Sequence, residues 1–370
     1  MRLVCERDAV AEVLANVSRA ANPRGPINVL AGVRMQANVD HVVLSATDTE
    51  LSIRASMPAR VDEDGVGVVP ARTLAELVKK LPEGPLALAA GDRSDVRVVS
   101  GDGEYSLNAL SADDFPELPT PSPCAPVRVE RAAILRAFGR VGRAAARDTS
   151  RPLYTGVLVG SEGGLLTMAA SDGYRLAFIR SRTTSEDIAP TLIPARVLAE
   201  LTRLSPASEW VELVVGANVI QFESGEYRLT ARRLNGQPQP YESLVDADFA
   251  HEVSADRERL VAAVERVGVL LGRGSPVVLD FEPDALRVRG ATADLGQAVE
   301  RIPVRGPAAA ITIGFNPTYV IEGLRLLEGA EITFRMNDAL RPVVLASTGD
   351  DLVYLLAPVR RPGAWKDSDD

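Results

Sequence analysis

The octapeptide PARTLAEL at residues 70–77 returns as PARVLAEL at residues 194–201, with seven of its eight residues unchanged. In the first copy, Leu74, Leu77 and Val78 follow the proline at helical spacing. A proline costs little at the first turn of a helix, where its missing N–H group would have no intrahelical partner. The octapeptide therefore predicts a helix that begins just after the proline. Its recurrence indicates that a larger structural unit is repeated.

Segments on both sides of the octapeptide repeat in the same order. The preceding helical pattern occurs three times, as ERDAVAEVLANVSRAA from residue 6, ERAAILRAFGRVGRAA from 130 and DRERLVAAVERVGVLL from 256. Each is followed by short alternating strand patterns and an acidic corner: ATDTEL at 46, SDGYRLA at 171 and ATADL at 291. A diverged third helix entrance, GFNPTYV, stands at 314. The sequence thus predicts an α+β fold of three tandem domains, each with two helices and about eight strands.

Two proline-rich stretches mark the domain boundaries. DDFPELPTPSPCAPV begins at residue 113 and NGQPQPYESLVDADF begins at residue 235. Because proline fixes φ and cannot donate to a strand ladder, such stretches are typical of linkers. We predict domains at 1–122, 123–248 and 249–370.

The composition is that of an ordinary globular protein. Of the 370 residues, 46% are hydrophobic and 25% charged, and the net charge is −9. No apolar stretch approaches the roughly 20 residues of a membrane helix, and the first residues do not resemble a signal peptide. The two cysteines are far apart and form no metal-binding pair. We expect a cytoplasmic protein with no membrane association and no cofactor.

Common catalytic motifs are absent from the sequence, and the only histidines, His41 and His251, have no nucleophile or carboxylate constellation beside them. Three aspartates, Asp48, Asp172 and Asp294, recur at the acidic corners. A residue that recurs in every repeat favours a role in closing a turn. The alternative is a metal-dependent hydrolase that uses these carboxylates.

A run of arginines in the second repeat suggests a polyanion as partner. Arg136, Arg140, Arg143 and Arg147 are spaced to share one face of a continuous helix, without an intervening Asp or Glu. Like charges at this spacing destabilise a helix slightly, and a phosphate backbone would offset that cost. Arg72 and Arg196, which follow the repeated prolines, add further positive charge. Phe138 lies on the opposite side of that helix, so no stacking aromatic side chains interleave with the arginines. This argues against a platform for single strands and predicts sequence-independent contact with a phosphate backbone.

The motifs and their order resemble the bacterial DNA polymerase III β subunit, the sliding clamp family. The resemblance rests on ATDTEL, PARTLAEL, DDFPELP, SDGYRLA and GFNPTYV, and on YLLAPVR from Tyr354. It implies three β-clamp domains in a head-to-tail dimeric ring around DNA. Such a clamp has no catalytic activity and holds the polymerase on DNA for processive synthesis. The resemblance also implies DNA contacts from Arg24 and Arg151, and a dimer interface between Tyr105 and Leu107 of one subunit and Val269 and Leu270 of the next.

The resemblance further implies a pocket for short peptides of the clamp loader, the DNA polymerase III α subunit, other polymerases and repair proteins. Carried over by position, its walls are Tyr154, Gly156, Ser171, Gly173, Tyr174, Leu176, Leu244, Asn316, Tyr319, Leu340, Pro342, Ala357, Pro358, Val359 and Arg360. Apolar walls with a few polar groups suit an extended peptide.

Several positions around this pocket depart from the family pattern. Gln239, Ser243 and Ala357 replace residues typical of the family, and ten residues follow Arg360. The chain is therefore either a replicative clamp that has drifted or a specialised duplicate with an altered preference for peptides or inhibitors. A clamp fold that no longer encircles DNA is a third interpretation.

Overall fold

The structure is a computed structural model that describes residues 1–91, 95–204, 208–236, 239–272, 274–306 and 310–359. Its residues form two compact units. The first comprises Met1–Leu135, Thr184–Glu186 and Arg196–Asn235, and the second comprises Arg136–Thr183, Asp187–Ala195 and Gly236–Asp370. The central repeat contributes residues to both units. The boundaries at 122 and 248 therefore stay a prediction.

The helices begin where the repeated motifs predict. They are α1 (Arg7–Val17), α2 (Ala71–Lys80), α3 (Arg131–Val141), α4 (Ala195–Arg203), α5 (Glu242–Val245), α6 (Arg257–Gly268) and α7 (Pro317–Leu326). Helices α2 and α4 each start one residue after the repeated proline. Helix α7 starts at Pro317, and the Asn316 side chain caps it by accepting the Thr318 N–H at 3.0 Å. The helix entrance predicted for the third repeat is confirmed.

The remaining regular structure consists of short antiparallel strands. The first twelve are β1 (Arg2–Glu6), β2 (Gly32–Asn38), β3 (His41–Thr47), β4 (Leu51–Pro58), β5 (Arg60–Glu63), β6 (Gly65–Pro70), β7 (Pro85–Ala90), β8 (Asp95–Ser100), β9 (Gly103–Asn108), β10 (Val127–Glu130), β11 (Gly156–Glu162) and β12 (Leu165–Ser171). The others are β13 (Arg175–Arg182), β14 (Ile188–Pro194), β15 (Trp210–Val215), β16 (Val219–Ser224), β17 (Tyr227–Arg232), β18 (His251–Asp256), β19 (Val277–Phe281), β20 (Ala285–Thr292), β21 (Gly296–Arg305), β22 (Ile311–Phe315), β23 (Glu331–Met336), β24 (Val343–Ala346) and β25 (Leu352–Leu356).

The first unit holds two sheets. One has the strand order β5-β1-β7-β8-β9, and the other has the order β10-β15-β16-β17-β4-β3-β2-β6. Alternation of side chains decides which face of the larger sheet is buried: Met35, Leu44 and Ile53 are fully buried, whereas Arg34 and Arg54, one residue away, lie on the opposite face.

The second unit is built on one long sheet of order β14-β11-β12-β13-β25-β24-β23-β18-β21-β20-β19-β22. Its core contains the fully buried Tyr354, Phe178 and Phe315. Phe281 and Phe334 meet edge to face with their ring centroids 5.3 Å apart. In the part of the chain that the structure describes, no helix is both long and apolar enough to cross a membrane.

The acidic corners of the first two repeats have the same local structure. Asp48 Oδ1 accepts the N–H groups of Glu50 and Leu51 at 3.1 and 2.8 Å. Asp172 Oδ1 accepts the N–H groups of Tyr174 and Arg175 at 2.9 and 3.1 Å. The residue after each aspartate has a left-handed φ, +79° at Thr49 and +89° at Gly173. The structural interpretation of Asp48 and Asp172 is thereby confirmed.

The third corner has diverged. Asp294 lies exposed in the turn between β20 and β21. Across the described residues, no group of three or more His, Cys, Asp or Glu side chains could hold a metal ion. These aspartates offer no support for a hydrolase.

Candidate functional site

Two of the predicted pocket residues, Tyr174 and Tyr319, line a cavity of about 590 Å³ in the second unit. The other walls of this cavity are Arg143, Ala145, Ala146, Arg147, Asp148, Arg151, Asp172, Arg175 and Glu322. The cavity thus combines aromatic surface with several guanidinium groups.

Arg151 connects two predicted pocket tyrosines. Its guanidinium lies 4.8 Å from the ring centroid of Tyr154 and 5.7 Å from that of Tyr174, and its Nη2 donates to the Asp172 carbonyl at 2.8 Å. A side chain at Gly173 would place its Cβ 2.9 Å from Arg151 Nη1, and the φ there is left-handed. The left-handed φ favours glycine at this position, and the two rings lie around one cation.

Arg175 holds the opposite wall. Its Nε donates to Asp172 Oδ2 at 3.1 Å, its Nη1 pairs with Glu322, and its guanidinium lies 4.3 Å from the ring centroid of Tyr319. Burial, followed by the charge of Asp172, raises the pKa of Tyr319 above its ordinary value. The Tyr319 hydroxyl is therefore protonated at neutral pH and can both donate and accept a hydrogen bond.

The C-terminal tail reaches the same corner. The Ala357 N–H donates to the Tyr174 carbonyl at 2.8 Å, and the Val359 N–H donates to the Gly314 carbonyl at 2.8 Å. Leu176 is buried and pairs with Leu355 in the ladder between β13 and β25. The fold therefore brings together residues 171–176 and 357–359, which are far apart in sequence. Arg360 lies outside the described residues.

The other predicted pocket residues are placed less directly. Gly156 is buried in β11 opposite Pro194. Leu244 and Leu340 are 46% and 88% exposed, and Pro342 is also exposed. None of these residues lines the cavity. Their assignment to the pocket stays a prediction.

The sequence reasoning missed Arg175 as part of this site. The residue stands inside SDGYRLA, at the position that Leu51 occupies in the first repeat. An arginine in place of a core leucine at the start of a strand was the available signal. Its partner Glu322 is 147 residues away, so the sequence around Arg175 could not predict the pairing.

The predicted arginine stripe is only partly present. Helix α3 ends at Val141, Arg143 lies in a following 3₁₀ turn at Gly142–Ala144, and Arg147 lies beyond that turn. The prediction that all four arginines share one helix face was therefore wrong, because the chain leaves the α-helix after Val141.

Arg140 is engaged within the second unit. Its two Nη atoms donate to the two carboxylate oxygens of Asp350 at 2.7 Å, and Nη2 also donates to the Leu326 carbonyl at 2.7 Å. No acidic residue intervenes between the arginines in the sequence, but an aspartate from a distant turn pairs with Arg140 in the structure.

The remaining arginines predicted to contact DNA differ in their surroundings. Arg72 pairs with Glu76 at 2.8 Å, Arg196 pairs with Asp48, and Arg136 is exposed. Three others are exposed and have side chains without a hydrogen bond or ion pair inside the described ranges: Arg24, Arg143 and Arg147. Among the predicted set, these three are best placed to meet a phosphate.

The residues predicted for the dimer interface lie at accessible places in both units. Tyr105 and Leu107 belong to β9, the last strand of the five-stranded sheet, and Tyr105 is 39% exposed. Val269 and Leu270 directly follow α6, and Val269 is 75% exposed. An edge strand with an exposed aromatic side chain favours association with another chain.

Comparison with known families covers nearly the whole chain. Models of the DNA polymerase III beta subunit match in three parts: the N-terminal domain at residues 1–119, the central domain at 128–239 and the C-terminal domain at 242–360. The chain belongs to the DNA polymerase III beta subunit family. The predicted fold class of three clamp domains is confirmed.

Individual relatives agree with the family models. The chain is 32% identical to the beta sliding clamp of Synechocystis, over 97% of this chain and 99% of that protein. It is also 32% identical to the beta sliding clamp of Streptomyces coelicolor, over 98% of this chain and 100% of that protein. The crystal structure of the Caulobacter crescentus DNA polymerase sliding clamp superposes with a TM-score of 0.91 at 28% identity, covering 97% of this chain and 100% of that one.

The chain is therefore a DNA sliding clamp, the non-catalytic processivity subunit of DNA polymerase III. The alternative of a metal-dependent hydrolase is not supported.

Proposed function

We propose that two copies of this chain associate head to tail through β9 of one copy and the Val269–Leu270 turn of the other. The resulting ring encircles duplex DNA in the cytoplasm, and its predicted domains are 1–122, 123–248 and 249–370. The free edge of β9 and the exposure of Tyr105 and Val269 support this interface. A head-to-tail contact of this kind joins two different surfaces. It forms a closed ring, not a filament, only when the rotation from each subunit to the next brings the last one back to the first.

Retention on circular DNA tests the ring. Clamp loaded onto a nicked circular plasmid should remain bound after gel filtration and should be lost when the plasmid is linearised. Equal retention on both forms would contradict encirclement. A clamp fold that no longer encircles DNA would be retained on neither.

The interface can be tested separately by sedimentation. Val269→Asp places a charge at the proposed contact and should shift the protein towards the monomer at micromolar concentrations. Val39→Asp is the matched control, because Val39 is also an exposed valine, at 78%, outside the proposed interface. If Val269→Asp dimerised as well as the control, the interface assignment would be wrong.

We propose that Arg24, Arg143 and Arg147 carry the phosphate contacts. The observation behind this assignment is their exposure without an internal partner, whereas Arg140 is held by Asp350. For duplex DNA, each phosphate contact contributes about −0.9 to the slope of log K against log salt concentration.

The double variant Arg143→Gln/Arg147→Gln should therefore reduce the steepness of that slope by up to about 2. Arg60→Gln, which removes an exposed arginine of the first unit that pairs with Asp62, is the charge-matched control and should leave the slope unchanged. An unaltered slope in the double variant would refute the assignment.

We propose that the tyrosine-lined cavity and the adjoining tail receive short peptides of the clamp loader, the polymerase III α subunit and other polymerases and repair proteins. The observation that carries this proposal is the joining of Tyr154, Tyr174 and Tyr319 by Arg151 and Arg175 beside the tail. Aromatic rings held by arginines provide rigid apolar surface, which is where binding energy concentrates in interfaces.

Fluorescence anisotropy with a labelled consensus clamp-binding peptide tests the pocket. Tyr174→Ala and Tyr319→Ala should each weaken binding about 10-fold or more, as expected for an aromatic hot spot. Leu165→Ala is the control, because Leu165 is an exposed apolar residue of the same unit outside the cavity. Equal losses for all three variants would contradict the assignment.

The same titration separates the two open interpretations of the pocket. Low-micromolar or tighter binding by the unaltered chain supports an ordinary replicative clamp. Much weaker binding supports a specialised duplicate.

A further inference from the structure

The polar face of the larger sheet in the first unit carries an unusual row of side chains. Arg34 on β2 is paired in register with Ser45 on β3, and Ser45 is paired with Arg54 on β4. Residues directly opposite each other project from the same face, and neighbouring strands lie about 4.8 Å apart. Two arginines therefore flank a small serine across about 10 Å of sheet.

This row lacks internal neutralisation. Arg34 Nη1 donates to the neutral Gln36 side chain at 2.8 Å. Within the described residues, neither Arg34 nor Arg54 forms an ion pair. By contrast, Arg228, the next residue in the row, pairs with Glu223 at 2.9 Å. Burial, followed by the charge of Arg54, lowers the pKa of Arg34. The two guanidinium groups therefore repel each other.

The serine between them supplies a hydroxyl group. Ser45 is 3% exposed, and its hydroxyl makes no hydrogen bond to any residue that the structure describes. Solvent still reaches this hydroxyl oxygen, which is not one of the buried side-chain oxygens without a partner, so a ligand in the adjoining cavity can reach it too. The donors of Arg34, Ser45 and Arg54 are available to a common acceptor.

The first linker forms a wall over this row. Phe115 is buried with Val29 and Val68, and Leu110 and Leu118 pack against that cluster. Because Val68 is paired in register with Arg34, the cluster lies on the same face as the arginines. The linker and the sheet border an open cavity of about 340 Å³ that Arg34, Ser45, Arg54, Phe115 and Leu118 help to line. The DDFPELP motif at 113–119 thereby acquires a role in shaping a site.

We propose that this cavity binds a phosphate group, either as inorganic phosphate or as the monoester of a small metabolite. Guanidinium groups present planar pairs of donors that match phosphate oxygens, and the serine hydroxyl adds another donor. Two cations without a carboxylate partner favour a dianion over a monoanion. Glu117, the one acidic residue in the cavity wall, is exposed and lies on the linker side. The volume is at the small end of ligand pockets, which limits the ligand to a small molecule.

Calorimetric titration of the full chain with sodium phosphate, at constant ionic strength balanced with chloride, tests the proposal. Saturable binding is expected. Arg34→Gln and Arg54→Gln should each weaken it about 10-fold or more, because each removes charge-assisted hydrogen bonds. Arg97→Gln is the matched control, since it removes an exposed arginine of the same unit that is paired with Glu104 elsewhere. A parallel titration with adenosine monophosphate distinguishes the sources: tighter binding than phosphate indicates a monoester, and equal or weaker binding indicates free phosphate.

Thermal unfolding of each variant without phosphate shows whether the substitution has damaged the fold, so that lost binding is not mistaken for misfolding. Because either substitution relieves a like-charge repulsion, Arg34→Gln and Arg54→Gln should unfold at the same temperature as the unaltered chain or higher. Phosphate should raise the unfolding temperature of the unaltered chain and of Arg97→Gln, but not that of Arg34→Gln or Arg54→Gln. The proposal is overturned if phosphate does not bind saturably, or if the two variants and the control bind it equally. A lower unfolding temperature for both variants without phosphate would also overturn it, because the arginines would then be structural.

Discussion

Replacing Arg140 with leucine should destabilise the second unit. The Asp350 side chain is 1% exposed and the Arg140 side chain is 19% exposed, so this ion pair is largely removed from water. The substitution removes two hydrogen bonds of 2.7 Å to the carboxylate. The N–H groups of Glu328 and Leu352 continue to donate to it at 2.7 and 3.0 Å.

The expected loss follows from the charge that is left behind. Breaking a buried ion pair costs about 3–5 kcal/mol, because the remaining charge has lost its partner. Two backbone donors still solvate Asp350, so we expect the lower end, about 3 kcal/mol in the free energy of unfolding. Urea unfolding followed by circular dichroism measures this loss, provided that the transitions of the two units are resolved.

The loss should depend on pH in a defined direction. Burial alone would raise the pKa of Asp350, but the hydrogen bonds from Arg140, Glu328 and Leu352 outweigh it and lower that pKa. A carboxyl group with a lowered folded-state pKa contributes stability above its unfolded pKa of about 3.9, and this is lost as the pH falls through the folded value. The difference between Arg140→Leu and the unaltered chain should therefore be largest at neutral pH and shrink below about pH 4.

Arg72→Leu provides the matched control. Arg72 and Glu76 form an ion pair whose side chains are 81% and 60% exposed, and such pairs contribute little to stability because water and salt screen them. If Arg140→Leu cost no more than Arg72→Leu, or if its cost were the same at pH 7 and pH 3, the reasoning about the buried carboxylate would be refuted.

Three further substitutions test the packing and the backbone by the same urea titration. Arg131→Met should lower the free energy of unfolding by about 2 kcal/mol, because the buried guanidinium donates to the Leu204 carbonyl at 2.6 Å just after α4. An unchanged free energy of unfolding would show that water replaces this hydrogen bond. Gly323→Ala should cost about 1–3 kcal/mol, since a Cβ there would overlap the ring of the buried Tyr354; a neutral result would mean that the ring can shift. Thr49→Gly should raise the free energy of unfolding by about 0.5 kcal/mol. The reason is that threonine pays about 1–2 kcal/mol for its left-handed φ of +79°, which exceeds the entropy cost of glycine. A lower free energy of unfolding would contradict this account.

Helix entrances and corners were predictable because their causes are local. A proline at the start of an apolar pattern determines where α2 begins. An aspartate that accepts the backbone N–H groups two and three residues further on closes the corners at Asp48 and Asp172. Repetition reinforced these signals, since the same short-range interactions recur in successive domains. The family resemblance rested on such motifs and was confirmed along nearly the whole chain.

The sequence by itself therefore determined the repeated domains, the starts of their helices and the family. Only the tertiary structure decided which charges are free. Arg140 pairs with an aspartate 210 residues away, and Arg175 pairs with a glutamate 147 residues away. Arg34 and Arg54 form no ion pair with any described residue, although Glu117 lines the same cavity. The physical reason is that ion pairing and burial depend on strand register and on packing between distant segments. The residues next to an arginine in the sequence therefore do not predict its ion pairs or its burial.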